Sequence, residues 1–202
     1  CDLGCKHCGS RAGKARPDEL STEECLDVVR QLADMGMLEV TLIGGEAYLR
    51  DDWDIIAKAI VDAGMSCGIT TGGRGLTQER VDRAVAAGIS GISLSIDGLE
   101  RTHNLQRGTS DAFRNAVAAA KRVKASGIRL GVNSQINRLT MPELPALADL
   151  LIELGVRAWQ IQLTVPMGRA ADRPDLLLQP YDLLELFPLI AWLKKEKLTP
   201  AD

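Results

Sequence analysis

Aromatic side chains are scarce: Phe, Tyr and Trp make up 3% of the 202 residues. Platforms that stack nucleobases are built from such rings, and a net charge of −3 supplies no basic field in their place. Nucleic-acid binding is therefore not expected. Histidine occurs twice, at His7 and His103, and no Ser-His-Asp or paired-carboxylate arrangement stands out. No apolar run approaches the roughly 18 residues a membrane span needs, and no signal peptide is recognisable. These absences set the expectation of a cytoplasmic protein without a membrane partner. The five cysteines are an odd number, and three of them crowd into the first eight residues. A secreted disulfide scaffold would be shorter and would spread its cysteines in pairs, so a reducing compartment and a metal site fit better.

What is present is an ordinary soluble composition, 46% apolar and 25% charged. One pattern recurs: an amphipathic helical stretch, a short β-rich run, then a loop containing glycine. Helices are expected near 21–36, 51–63, 77–87, 110–126, 141–154 and 179–196. Strands are expected at "EVTLI" (39–43), "SCGIT" (66–70), "GISLSI" (91–96), "IRLGVNS" (128–134) and "WQIQL" (159–163). "STEE" at 21–24 reads as a capping box. "TQER" at 77 and "TMPE" at 140 repeat the pattern, the latter with Pro142 in the first turn. Gly36, Gly64, Gly88, Gly127 and Gly155 each follow the last periodic residue of a helix, where a left-handed cap is favoured.

Strands alternating with helices predict an α/β fold with a parallel sheet. Five βα units are visible, and a first strand is expected upstream of Cys1. The fold class is therefore a partial parallel (β/α)6 TIM-like barrel; eight units would need about 250 residues. Ligands in such folds bind at the carboxyl ends of the strands. The loops "GGEAYLRD", "TGGRG", "DGLERTHNLQRG", "QINR" and "TVPMGRA" are thus the places to look for chemistry. "GRAADRPD" at 168–175 reads as a loop or linker, and "KKEK" near the end as a solvated face leading into a polar tail. Cys25 and Cys67 read as core thiols, and Trp53, Trp159 and Trp192 as core positions.

Cys1, Cys5 and Cys8 are spaced C-x3-C-x2-C. A structural zinc site wants four closed ligands, and no second knuckle follows. Three thiolates on one short loop can instead hold three corners of a [4Fe–4S] cube, leaving one iron open for substrate or cofactor. Zinc and chance remain the alternatives. After the first visible strand come Gly44 and Gly45, which permit close backbone approach, and then Glu46, an acceptor for an ammonium group.

On these residues the chain resembles the radical S-adenosylmethionine (radical SAM) enzymes. His7 stands before the third cysteine, where that family usually has an aromatic residue. "GGEA" resembles the family's GGEP, with Ala47 in place of proline. "TTGG" (70–73) resembles a T-N-G-like turn, giving Thr71 as a candidate contact. "SLSIDGLERTHNLQRG" resembles the S-x-D-G…H-D-x-x-R-G pattern of the peptide-modifying subgroup that often carries a C-terminal SPASM domain. Asn104 replaces the usual Asp there. "PMGRA" at 166–170 is similar to the stretch after the last barrel strand in that subgroup.

The resemblance implies a radical SAM core over residues 1–202, with a SPASM- or Twitch-type domain following in the full protein. It implies Cys1, Cys5 and Cys8 as ligands of a [4Fe–4S] cluster. It makes His7, Gly44, Gly45, Glu46, Thr71, Ser95, Asp97, Arg107, Asn133 and Gln162 candidates for binding S-adenosylmethionine. Among them, Ser95 and Asp97 would meet ribose or the methionine carboxylate, Arg107 a carboxylate, and Asn133 and Gln162 ribose or adenine. His103 reads better as a cap on its own turn. The implied chemistry is reductive cleavage of S-adenosylmethionine to a 5′-deoxyadenosyl radical that abstracts hydrogen from substrate. The implied partners are a peptide or protein substrate and an external one-electron reductant of flavodoxin or ferredoxin type. Alternatives are a radical SAM enzyme of cofactor biosynthesis, a non-catalytic iron–sulfur electron carrier, and a zinc-bearing interaction module.

Overall fold

The computed structural model describes residues 1–198; the end of the expected polar tail, 199–202, lies outside the described residues. Five strands, β1 (Glu39–Leu42), β2 (Ser66–Thr71), β3 (Gly91–Ser95), β4 (Arg129–Ile136) and β5 (Ala158–Leu163), pair in parallel in the order β1-β2-β3-β4-β5. The sheet curls into a half-barrel, and all its carboxyl ends point to one rim. The α/β partial barrel expected from the alternation is what the chain forms.

Helices α1 (Thr22–Asp34), α2 (Trp53–Asp62), α3 (Gln78–Ala86), α5 (Ala112–Ser126) and α6 (Leu144–Leu154) fall where periodicity placed them. In α5 the buried residues are Ala112, Ala116, Ala119, Ala120 and Val123, one stripe at helical spacing. The five helix-closing glycines all have φ between 73° and 83°, the left-handed region that side chains disfavour. The Ser21 capping box forms in full, with the Ser21 hydroxyl accepting from the Glu24 N–H and the Glu24 carboxylate accepting from the Ser21 N–H. Thr77 caps α3 through its hydroxyl alone. Thr140 caps nothing: its hydroxyl donates to the Gln135 carbonyl and accepts from the Asn137 N–H, and a 3₁₀ turn precedes α6.

Strand parity separates two faces. Ile92 and Leu94 of β3 are buried under the helices, whereas Ser93 and Ser95 are only half-buried. The register pairs Ser95 with Asn133 and Gln135 with Gln162. The concave face is therefore polar and the convex face apolar. The main core lies between the convex face and the helices. A second core gathers Ile136, Leu144, Ala148, Leu186 and Leu193, the last two on α7 (Leu183–Leu193).

Three expectations are corrected. "DGLERTHNLQRG" is not all loop: residues Glu100–Arg107 form a helix, α4, ended by Gly108 in a left-handed conformation. Its buried side chains are polar, His103, Gln106 and Arg107, so no apolar stripe announces it. Trp192 is exposed rather than core. The run Pro174–Leu198 is long and apolar enough to cross a membrane by length and composition alone, with a mean hydropathy of 1.3 over an 18-residue window. Scattered charges hide it from a search for unbroken apolar runs, and Leu186 and Leu193 bury one side of it against the second core.

Candidate active site

The first eight residues lie across the carboxyl rim of the sheet. Several contacts hold them there. The Lys6 N–H donates to the Gln106 carbonyl at the end of α4. Arg74 donates to the Asp2 carbonyl. Gly45, in the turn after β1, has no room for a side chain: a Cβ there would stand 2.5 Å from the Cys1 Cβ. The second glycine of the "GGEA" turn is thus what lets Cys1 pack against the end of β1.

A cavity of about 240 Å³ opens between this loop and the strand ends. Its lining includes Cys1, Cys5, His7, Cys8, Gly44, Gly45, Glu46, Thr71, Ser95, Arg107, Asn133 and Gln162. The structure therefore brings together every candidate residue except Asp97. Gln135 and Gly72 line it as well; Gln135 shares the face of Asn133 by strand alternation, a signal the sequence carried.

The three thiols are unpaired. Among the described residues, their sulfurs do not all lie within 4.8 Å of one another; the group that meets that limit is Cys1, Asp2 and Glu46. Thiolates on one tetrahedral zinc stand about 3.8 Å apart, given Zn–S bonds near 2.3 Å. The three sulfurs are more widely spread than that, as ligands on separate irons of a cluster would be. The three thiols differ in surroundings. Burial raises the Cys5 pKa, against the pull of the Arg107 cation, whose Nη1 donates to Sγ at 3.7 Å. Burial also raises that of Cys8, but hydrogen bonds from the Ser10 side chain and the Ala12 and Ser10 backbone outweigh it and leave the thiol below its ordinary value.

Glu46 lines the cavity beside Cys1. Its carboxylate accepts from the Gly72 N–H at 2.8 Å and from the Thr71 hydroxyl. Burial raises its pKa, and those two hydrogen bonds oppose the rise. Thr71 therefore serves first to orient Glu46. The carboxylate's remaining lone pairs can accept from an ammonium group in the cavity.

Asp97, a candidate for ligand contact, does not line the cavity. It is fully buried behind the cavity wall. One oxygen accepts from Arg107 Nε and Nη2, both at 2.7 Å, and the other from the Gln135 N–H at 3.0 Å. Burial alone would raise its pKa, but Arg107, then His7 and His103, bring it down to about 2. Arg107 is correspondingly committed to Asp97 and Cys5 within the protein. His103 accepts the Asp97 N–H through Nδ1, which ties α4 to the end of β3. Burial depresses its pKa to about 4. His7 sits 3.8 Å from Asp97, and burial lowers its pKa. Cys67 is fully buried, and burial pushes its thiol up to about 11.

A family model described as the Radical SAM superfamily matches residues 1–151. The AdoMet-dependent heme synthase of Nitratidesulfovibrio vulgaris (strain Hildenborough) is 31% identical over 92% of this chain and 51% of that protein. The PqqA peptide cyclase of Ruegeria pomeroyi is 34% identical over 80% of this chain and 44% of that protein. SuiB of Streptococcus suis, solved with S-adenosylmethionine, superposes with a TM-score of 0.81 at 19% identity, covering 97% of this chain and 45% of that one; it has also been solved with its precursor peptide SuiA. At that identity the likeness is one of fold. The chain spans about half the length of the curated relatives it matches.

Proposed function

The chain belongs to the radical SAM superfamily, and from that membership we propose that Cys1, Cys5 and Cys8 hold a [4Fe–4S] cluster beside a site for S-adenosylmethionine. Membership implies an enzyme that uses S-adenosylmethionine and an iron–sulfur cluster. The observation that carries the assignment is geometric: three free thiols and the Glu46 carboxylate line one cavity at the carboxyl rim of a parallel half-barrel. Held by these cysteines, a cluster would supply the single electron needed to reduce the sulfonium of S-adenosylmethionine and break its bond to the 5′ carbon, giving methionine and a radical able to take a hydrogen atom from substrate.

The chain's own residues do the binding and orienting. Glu46, fixed by Thr71 and Gly72, accepts the ammonium of the methionine moiety. Ser95, Asn133, Gln135 and Gln162 on the concave face offer hydrogen bonds to ribose and adenine, and His7 flanks the adenine side. Gly44 and Gly45 allow the ligand and the cysteine loop to approach the strand end. Arg107, in the wall of the cavity, donates to the Cys5 sulfur, and Asp97, buried behind it, aims Arg107.

We propose further that these residues are the core of a longer enzyme that modifies a peptide or protein, with a SPASM-type domain in the remainder and a small electron-transfer protein as reductant. The "SIDG…H…RG" and "GRA" stretches support a peptide substrate, as does likeness to a peptide cyclase. Likeness to a heme synthase favours a second reading, a tetrapyrrole substrate. The test feeds the reconstituted full-length enzyme a pool of synthetic peptides or a set of iron porphyrins and measures 5′-deoxyadenosine. Stimulation by peptides supports the first reading; stimulation by the tetrapyrrole alone overturns it.

A further inference from the structure

The segment after β5 does more than connect. Residues Gly168–Asp172 form a 3₁₀ turn that lies against the cysteine loop. The Arg169 N–H donates to the Cys8 carbonyl at 2.9 Å. Its guanidinium Nε donates to the Cys5 carbonyl at 2.6 Å, across 164 positions of sequence. Nη1 reaches the Ala12 carbonyl at 3.5 Å. Gly168 makes the approach possible: its φ is +55°, and a Cβ there would stand 2.3 Å from the carbonyl oxygens of both Cys8 and Gly9.

Buried carbonyls need partners. Residues 5–12 lie in no strand or helix, and within the loop the Cys5 carbonyl accepts from the Cys8 N–H at a long 3.4 Å. One arginine here takes three of those carbonyls at once, from both sides of Cys8. A planar guanidinium holds such a fork with less loss of freedom than an ammonium would. Turning the carbonyls outward toward Arg169 leaves the Cys5 and Cys8 side chains to line the cavity.

We propose that Arg169, seated by Gly168, is a positioning residue that fixes the Cys5–Cys8 segment in its cluster-binding conformation. The inference rests on the cluster assignment above. It makes cluster retention depend on the chain beyond β5, outside the region matched by the family model.

The full-length protein is prepared without oxygen as wild type, Arg169→Ala, Arg169→Lys and Cys5→Ala. Arg173→Ala, which removes an exposed pair with Asp175 in the next turn, serves as control. Three quantities are read: melting of the iron-free protein, iron bound per chain after reconstitution, and the rate of iron release to a ferrous chelator. Arg169→Ala should melt with wild type when iron-free, yet release iron about tenfold faster, the scale of losing hydrogen bonds from a charged donor. Arg169→Lys should fall between, and Arg173→Ala should match wild type. Release at the wild-type rate by Arg169→Ala overturns the proposal, provided Cys5→Ala has lost iron. A lowered melting point without faster release also overturns it, because the role is then structural only. Equal iron in Cys5→Ala and wild type would instead overturn the cluster assignment on which the proposal stands.

Discussion

His103 should make the iron-free protein acid-labile well above the carboxylate range. It is buried, and its pKa is depressed to about 4 from an ordinary 6.5. The unfolded chain thus takes up a proton below pH 6.5 that the folded chain refuses until pH 4. Stability from this group is present above pH 6.5 and is lost as pH falls toward 4. Between pH 7 and pH 4.5 the loss is about 2 kcal/mol, from 1.36 kcal/mol per pKa unit and the fractional titration at each end. Against a total of about 5–15 kcal/mol, that is a large share. His7 acts in the same direction, its pKa also lowered by burial, while Glu46, raised by burial, acts in the opposite one. Asp97, held near 2, contributes its loss only below the window. Subtracting a His103→Asn variant isolates the one group. Asparagine keeps an acceptor for the Asp97 N–H, which His103 now serves. Urea unfolding at the two pH values should show the wild-type midpoint falling about 1 M further than the variant's, for a slope near 2 kcal/mol/M. Equal falls in the two proteins would refute the reasoning.

Four further outcomes are expected. Glu46→Gln removes the charge but keeps the shape, and should weaken S-adenosylmethionine binding by about tenfold or more in equilibrium dialysis, with iron content unchanged. Gly45→Ala drives a methyl group into Cys1 and should lower iron bound per chain on reconstitution. Gly13→Ala, where nothing lies within 4 Å, should leave iron binding intact. Ser21→Ala removes the α1 cap and should cost about 1 kcal/mol in urea unfolding.

The strands, six of the helices (α1, α2, α3, α5, α6 and α7) and the rim of the barrel were legible because their signals are local: alternation, apolar stripes and glycine caps. Helix α4 was not. His103, Gln106 and Arg107 do recur at helical spacing, but they are polar, and what they bury against lies elsewhere in the chain. Asp97 sits where a ligand contact was expected, yet Arg107 from α4 takes its carboxylate inward. Gln135 could have been found by counting two residues from Asn133 along β4. Arg169 could not: nothing in "GRA" says that its guanidinium reaches the Cys5 carbonyl, a contact made only when β5 brings its end beside the cysteine loop.

Cys1, Cys5 and Cys8 are proposed to open a metal site onto a cavity for S-adenosylmethionine. The most direct measurement is 5′-deoxyadenosine formed by anaerobically reconstituted full-length protein with S-adenosylmethionine and dithionite, beside Cys5→Ala. The account predicts product with the wild type and none with the variant. Equal product from both, or a fully loaded protein that neither binds S-adenosylmethionine nor cleaves it, would contradict the account.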